Sequence, residues 1–164
     1  MLSKSVQNAI NDQINKEFYS AYLYLSMAAY FQATNLPGFG HWMTVQAKEE
    51  AGHAMKFYNY INESSGRIVL DAIDKPASDF KSPLDVMKKA LEHEKKVTAS
   101  INAIYELAVK EKDYPTQVML QWFITEQVEE EKTASDIIEM LKMIGDAPAG
   151  LIMADRQLGA RAGE

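Results

Sequence analysis

Apolar residues recur along most of the chain at alternating spacings of three and four positions, which is the period of helices that bury one face. Glycine, proline and helix-capping residues divide this pattern into four long segments and one short one. The predicted helices cover about residues 4–33, 38–65, 83–112, 114–144 and 147–160. Gly66 is expected to end the second helix and Gly145 the fourth. Strand-like alternation occurs only at residues 67–70, which are too few to build a sheet.

The connections between these segments predict the topology. Short turns join the first helix to the second and the third to the fourth, so each pair is expected to be antiparallel. Residues 67–83 form one long connection that reaches up to ~55 Å when extended, whereas the second helix is only ~42 Å long. We therefore predict an all-α fold, a four-helix bundle with one long crossover between helices two and three and a short C-terminal fifth helix. The 164 residues fit a single domain, 1–164, whose bundle covers residues 4–144.

Each core-facing stripe of the four long helices contains a carboxylate where an apolar residue is expected. These residues are Glu17, Glu50, Glu94 and Glu130, and His53 follows three positions after Glu50. Measured from the connecting turns, all five lie at similar height near the middle of the bundle. A single such residue would be interpreted as exposed on a misjudged helix face. Five at matched height on four helices favour a shared buried site.

Burying four carboxylates together costs several kcal/mol for each charge unless that charge is compensated. The four stripes contain no Lys or Arg, so either the acids take up protons or a metal ion supplies positive charge. Carboxylate oxygens with one imidazole nitrogen suit iron or manganese, and zinc also fits. Glu50 and His53, three positions apart on one helix face, can reach the same ion.

Composition excludes several other classes of protein. The chain has no cysteine, so disulfides, iron–sulfur clusters, zinc ribbons and thiol nucleophiles are ruled out. Its net charge of −6 argues against nucleic-acid binding. No run of 18 apolar residues predicts a membrane span, and the N-terminus lacks the apolar core of a secretory signal, so a cytoplasmic location is expected. The glycine-rich nucleotide motifs and the G-x-S-x-G hydrolase motif are also missing.

The stripe residues, with the segments FYSAYLYLSMAAYF, EEAGHAMKFYNYI and WFITEQVEEE, resemble the non-haem ferritins of bacteria and archaea. The resemblance covers essentially the whole chain. It implies an iron-storage protein that oxidises Fe²⁺ with O₂ or peroxide at a di-iron ferroxidase centre. It also implies a homo-oligomeric shell of 24 subunits that holds the iron as a ferric mineral.

The same resemblance implies which residues hold the two irons. One iron would be bound by Glu17, Glu50 and His53. The second would be bound by Glu50, Glu94 and Glu130, so that Glu50 bridges the pair.

Further residues are implied beside this pair. Gln127 would lie next to the ligands or on the side where oxygen binds. Tyr24 would hydrogen-bond a ligand carboxylate or supply an electron, or else it is a core tyrosine with a satisfied hydroxyl. A third iron site would use the flanking acids of helices two and four, with Glu130 shared: Glu49, Glu126 and Glu129. The alternative for these flanking acids is a solvated acidic face.

Departures from related families narrow the interpretation. Ala51 and Thr133 replace the haem-binding methionine and second-site histidine of bacterioferritins, so no haem is expected. Two other functions stay open, a free-standing di-iron oxidase or peroxidase and a non-catalytic helical interaction module. The mass of the native assembly separates storage from both, and metal binding separates the enzymes from the interaction module.

The fifth segment is too short to be a stable helix alone. The resemblance implies that it packs against neighbouring subunits around a four-fold axis of the shell. The alternative is that it folds back and seals the end of its own bundle.

Overall fold

The computed structural model describes residues 2–163, so Met1 and Glu164, the ends of the predicted domain, lie outside the described residues. Its helices are α1 (Lys4–Ala33), α2 (Pro37–Glu63), α3 (Pro83–Lys110), α4 (Tyr114–Ile144) and α5 (Pro148–Gly159). Residues 2–163 contain no strand, which confirms the predicted all-α class. None of these helices combines the length and hydropathy needed to cross a bilayer.

Polar side chains cap the start of three of the long helices. Ser3 Oγ accepts a hydrogen bond from the Val6 amide at 3.2 Å. Ser82 Oγ accepts one from the Asp85 amide at 3.1 Å. Asp113 caps α4 in the same way. These contacts satisfy amides that have no partner within the first turn of a helix.

The second helix ends two residues earlier than predicted. Ser65, and not Gly66, takes the left-handed conformation after the helix, with φ of 57°. The amide of Gly66 then bonds the carbonyl of Ile61 at 2.8 Å, which closes the helix end. Lys112, with φ of 58°, plays the same part after α3. The pattern missed both positions because a serine and a lysine occupy a conformation that usually favours glycine.

The long connection carries the chain from one end of the bundle to the other along α1. Asn11 Nδ2 donates to the carbonyl of Arg67 at 3.0 Å, near the start of the crossover. Ser26 Oγ donates to the carbonyl of Ala77 at 2.6 Å, close to its end. As the crossover advances it therefore contacts later residues of α1. The bundle with one crossover between α2 and α3 is confirmed.

Two apolar clusters fill the bundle, one toward each end. The first packs around Met27, Phe31 and Phe39, and the second around Ile14 and Phe57. Between these clusters the buried residues of the long helices are polar, apart from Ala54 of α2. The apolar clusters thus enclose a polar layer near mid-bundle.

The fifth helix folds back across the start of α2. Ala154 and Leu158 are buried in the first apolar cluster. Asp155 Oδ1 accepts a hydrogen bond from the amide of Phe39 at 2.9 Å. This face matches the alternative in which α5 covers its own bundle. Ile152 and Met153, on the other face, are 54% and 71% exposed.

Glycine at position 38 is required for this close approach. A Cβ atom at Gly38 would lie 1.7 Å from the carbonyl oxygen of Asp155, which is main chain and cannot swing aside. We expect Gly38→Ala to displace α5 from α2 and to lower the thermal unfolding midpoint. Limited proteolysis after residue 144 should become faster because the link to α5 loosens.

The matched control is Gly52→Ala on the same helix, where a Cβ would meet no atom within 4 Å. That change should leave the midpoint unchanged or raise it, since alanine favours a helix interior by about 0.5–1 kcal/mol. Equal midpoints and equal proteolysis in the two variants would contradict the docking of α5.

Candidate metal centre

The polar layer brings together one carboxylate from each long helix. Glu17, Glu50 and Glu94 are each 1% exposed, and Glu130 is 8% exposed. His53, one turn after Glu50, is 5% exposed. Glu17 of α1 lies between Ile14, which packs in the second apolar cluster, and Leu23, which packs in the first.

His53 belongs to two groups of potential metal ligands. One ligand atom each from Glu17, Glu50 and His53 lie within 4.8 Å of one another. A second group, His53 with Glu126 and Glu130, meets the same limit. His53 Nδ1 is 3.3 Å from Glu50 Oε2, and His53 Nε2 is 4.0 Å from Glu126 Oε1. The two ring nitrogens therefore face different carboxylates.

Two glutamines, each one turn before a carboxylate of the layer, hold the acids in place. Gln13 Nε2 donates to Glu17 Oε1 at 2.7 Å. Gln46 Nε2 donates to Glu50 Oε1 at 3.1 Å and to Glu130 Oε2 at 2.7 Å. Because an amide carries no net charge, it orders these carboxylates without neutralising them.

Glu94 is held by a different pair of donors. The Tyr24 hydroxyl donates to Glu94 Oε1 at 2.5 Å. Gln127 Nε2 donates to Glu94 Oε2 at 3.1 Å and also lies 3.3 Å from Thr98 Oγ1. Glu94 belongs to neither of the two ligand groups around His53. Of the alternatives given for Tyr24, the hydrogen bond to a carboxylate of the layer is present in the structure.

A cavity of about 430 Å³ opens onto the layer between α2 and α4. Glu49 and Glu126 line it together with His53, and the ring of Trp122 lies 5.4 Å from that of His53. Glu129 is exposed and joins neither ligand group. Of the three flanking acids, the structure places two at the cavity and one outside it.

Burial dominates the electrostatics of the layer. It raises the pKa of Glu17 well above its ordinary value, and the nearby charge of Glu50 raises it further. Burial and the charge of Glu94 raise the pKa of Glu130 to about 7. The pKa of Tyr24 is also raised, chiefly by burial, so its phenol stays protonated and able to donate.

The surroundings of one buried atom show whether these residues fit a metal ion. Glu17 Oε2 is buried and has no hydrogen-bond partner in residues 2–163. An unpaired buried carboxylate oxygen is costly, and it points to a cation that the protein itself does not supply. Carboxylate oxygens with one imidazole form a set of hard ligands suited to iron or manganese.

Sequence reasoning missed three residues of the site. Gln13 and Gln46 stand on the core-facing stripes four positions before Glu17 and Glu50, and that spacing was the available signal. Arg161 lies beyond α5, and its guanidinium bonds both Gln46 and Glu49. No pattern in the sequence indicates that contact.

The sequence and the fold of this chain are similar to those of known proteins. The family model described as a ferritin-like domain matches residues 7–144. A bacterial non-heme ferritin of Bacteroides fragilis is 44% identical over 161 residues, covering 98% of this chain and all of the relative. The corresponding protein of Campylobacter jejuni is 42% identical and covers 96% and 95% of the two chains. An open-pore ferritin from Archaeoglobus fulgidus is 46% identical, superimposes with a TM-score of 0.98 and covers 99% and 100% of the two chains.

The raised pKa of Glu130 predicts how stability depends on pH. In the folded metal-free protein this carboxyl ionises at about pH 7, against the ordinary value of 4.5 in the unfolded chain. The folded state therefore binds more protons between these values, so its stability falls as pH rises through that window. We expect Glu130→Gln to flatten this fall and to raise the stability at pH 8 by about 1–3 kcal/mol.

Urea unfolding at pH 5 and pH 8, with a chelator present, measures the effect. The control is Glu129→Gln, which removes an exposed carboxylate one residue away and should leave the pH dependence unchanged. If Glu130→Gln kept the wild-type pH dependence, that result would contradict the raised pKa of Glu130 in the folded protein.

Proposed function

Because the chain belongs to the ferritin family, we propose that it stores iron and oxidises Fe²⁺ at a paired site within each subunit. The observation that carries this proposal is the buried layer of four carboxylates and one histidine, one of whose oxygens has no partner in residues 2–163. Such a layer favours a cation, because buried carboxylates without an internal positive charge need one to compensate them.

The first iron is assigned to Glu17, Glu50 and His53. Their mutual approach within 4.8 Å supports this assignment. The second iron is assigned to Glu50, Glu94 and Glu130, with Glu50 shared. The charges of Glu94 and Glu130 both raise the pKa of Glu50, after burial, which supports their closeness to it.

Two irons side by side suit the oxidation of Fe²⁺ by O₂. Each Fe²⁺ gives up one electron, and O₂ takes two electrons and two protons to become hydrogen peroxide, so no one-electron oxygen radical is released. Carboxylates stabilise Fe³⁺ yet exchange it, as transfer to a mineral requires. Acids that are protonated before iron arrives release those protons on binding, so uptake is expected to weaken at low pH.

Tyr24 and Gln127 are assigned to support Glu94. Their hydrogen bonds of 2.5 Å and 3.1 Å fix its two oxygens. A buried phenol beside a ligand of the pair is also placed to supply an electron when a single iron is oxidised, and this redox role of Tyr24 belongs to the proposal.

A third iron is proposed beside the pair, held by Glu49, Glu126 and Glu129 with Glu130 shared. The grouping of Glu126, Glu130 and His53 supports a cation on this side of the layer. The cavity lined by Glu49 and Glu126 gives such a cation access to the pair.

Storage requires a hollow assembly, so a homo-oligomer of 24 subunits in the cytoplasm is part of the proposal, without haem. Large apolar side chains exposed along the outer faces of the helices are available to form subunit contacts, among them Leu25, Val118, Val128 and Met153. A free-standing oxidase or peroxidase needs the pair but no shell. An interaction module needs neither.

We expect Glu50→Ala to abolish rapid Fe²⁺ oxidation, because the residue shared by both irons is lost. His53→Ala should disable the first iron position and leave the second partly occupied. Stopped-flow oxidation and titration of bound Fe²⁺ measure the two effects. The control Glu63→Ala removes an exposed carboxylate near the end of the same helix. Wild-type oxidation rates in both site variants would refute the assignment.

The native mass tests storage directly. We expect an assembly near 24 times the subunit mass that retains many more iron atoms than its subunits can bind in paired sites. Sedimentation measured together with iron content provides both numbers. A monomer or dimer that still oxidises Fe²⁺ would support the free-standing oxidase, and one that binds no metal would support the interaction module.

A further inference from the structure

Arg161, just beyond α5, reaches the metal centre from the end of the chain. Its Nη1 donates to Gln46 Oε1 at 2.9 Å, and its Nη2 donates to Glu49 Oε2 at 2.5 Å. The guanidinium also lies 4.6 Å from the centre of the Trp42 ring. Its backbone carbonyl accepts a hydrogen bond from His41 Nε2 at 2.8 Å. Contacts on both main chain and side chain thus fix Arg161 against α2.

Gln46 connects Arg161 to the paired site. A side-chain amide has its oxygen on one side and its NH₂ group on the other. Since Arg161 donates to the oxygen, the NH₂ group faces the layer, where it donates to Glu50 at 3.1 Å and Glu130 at 2.7 Å. Arg161 therefore sets the orientation of a donor that holds two carboxylates of the pair.

Glu49 connects Arg161 to the cavity. The Glu49 side chain is 32% exposed and that of Arg161 is 24% exposed, so the ion pair is only partly screened by water. Glu49 lines the same cavity as Glu126 and His53. A divalent cation bound at Glu49 would lie close to the guanidinium, and the two positive charges would repel each other.

We propose that Arg161 is a positioning residue that occupies Glu49 in place of a cation and is displaced when a divalent ion binds there. In the metal-free protein it neutralises Glu49 and fixes Gln46. Binding of the ion releases Arg161 from Glu49, frees the Gln46 amide and loosens the segment after α5. This inference rests on the proposed function, because it requires an accessory cation at Glu49.

Isothermal titration with Zn²⁺, a divalent ion that is not oxidised, tests the competition. We expect Arg161→Gln to keep the two tightly bound ions per subunit and to bind the next ion about three- to fivefold more tightly, as expected when a partly screened ion pair is removed. Arg161→Lys, which keeps the charge but loses the planar fork, should give an intermediate affinity. The control Lys48→Gln removes an exposed positive charge from the same cavity and should change the affinity less than twofold.

The outcomes separate this inference from the proposed function. If the wild type and Arg161→Gln both bind only two ions per subunit, the accessory site is refuted and the role of Arg161 with it. If a further ion binds with equal affinity to both proteins, only the role of Arg161 is overturned.

Fluorescence of Trp42 tests the displacement itself. The chain has two tryptophans, so Trp122→Phe leaves Trp42 as the only one. We expect its emission to change as the accessory ion binds, because the guanidinium leaves the ring. The change should be lost when Arg161→Gln is added to the Trp122→Phe protein. Emission that stays constant through that stage of the titration would refute the displacement.

Discussion

Four carboxylates buried in one layer carry a free-energy cost that the rest of the bundle must offset. Each charge removed from water costs several kcal/mol, and neighbouring charges of the same sign add to that cost. The two apolar clusters on either side supply the burial that keeps the helices together despite this layer. Their separation also fixes the height at which the acids meet. The layer therefore lowers the stability of the fold, and the packing of the two apolar clusters offsets that loss.

The hydrogen bonds of the layer order the acids without adding a positive charge to it. Gln13, Gln46 and Gln127 donate to carboxylates, and none of them carries a charge. A lysine or arginine in the same stripes would stabilise the metal-free protein and block the cation. The carboxylates are therefore ordered before the ion arrives, and the positive charge that balances them is left for the ion to supply.

Much of this structure could be predicted from the sequence because it depends on periodicity. The helical period sets which residues face inward, so the long helices and the level of Glu17, Glu50, Glu94 and Glu130 could be read from spacing. The docking of α5 could not, because the missing Cβ of Gly38 matters only once Asp155 lies over it. The contacts of Arg161 were equally hidden, since Gln46 and Glu49 lie far from it in the sequence. Local patterns carry no information about such distant pairs.

The order in which the helices are made has a consequence for synthesis. The turn between α1 and α2 is short, and the two helices pack along each other, so this hairpin can form while the ribosome is still making the crossover. At that stage Glu17, Glu50 and His53 are already on one unit, whereas Glu94 and Glu130 have not yet been translated. A nascent chain in which this hairpin has formed thus carries three of the five candidate ligands, open to water and to any divalent ion, until α3 and α4 close over them. Completion of α4 then turns an exposed, exchangeable set of ligands into a buried one, and Arg161, which follows α4 and α5 in the sequence, joins it later.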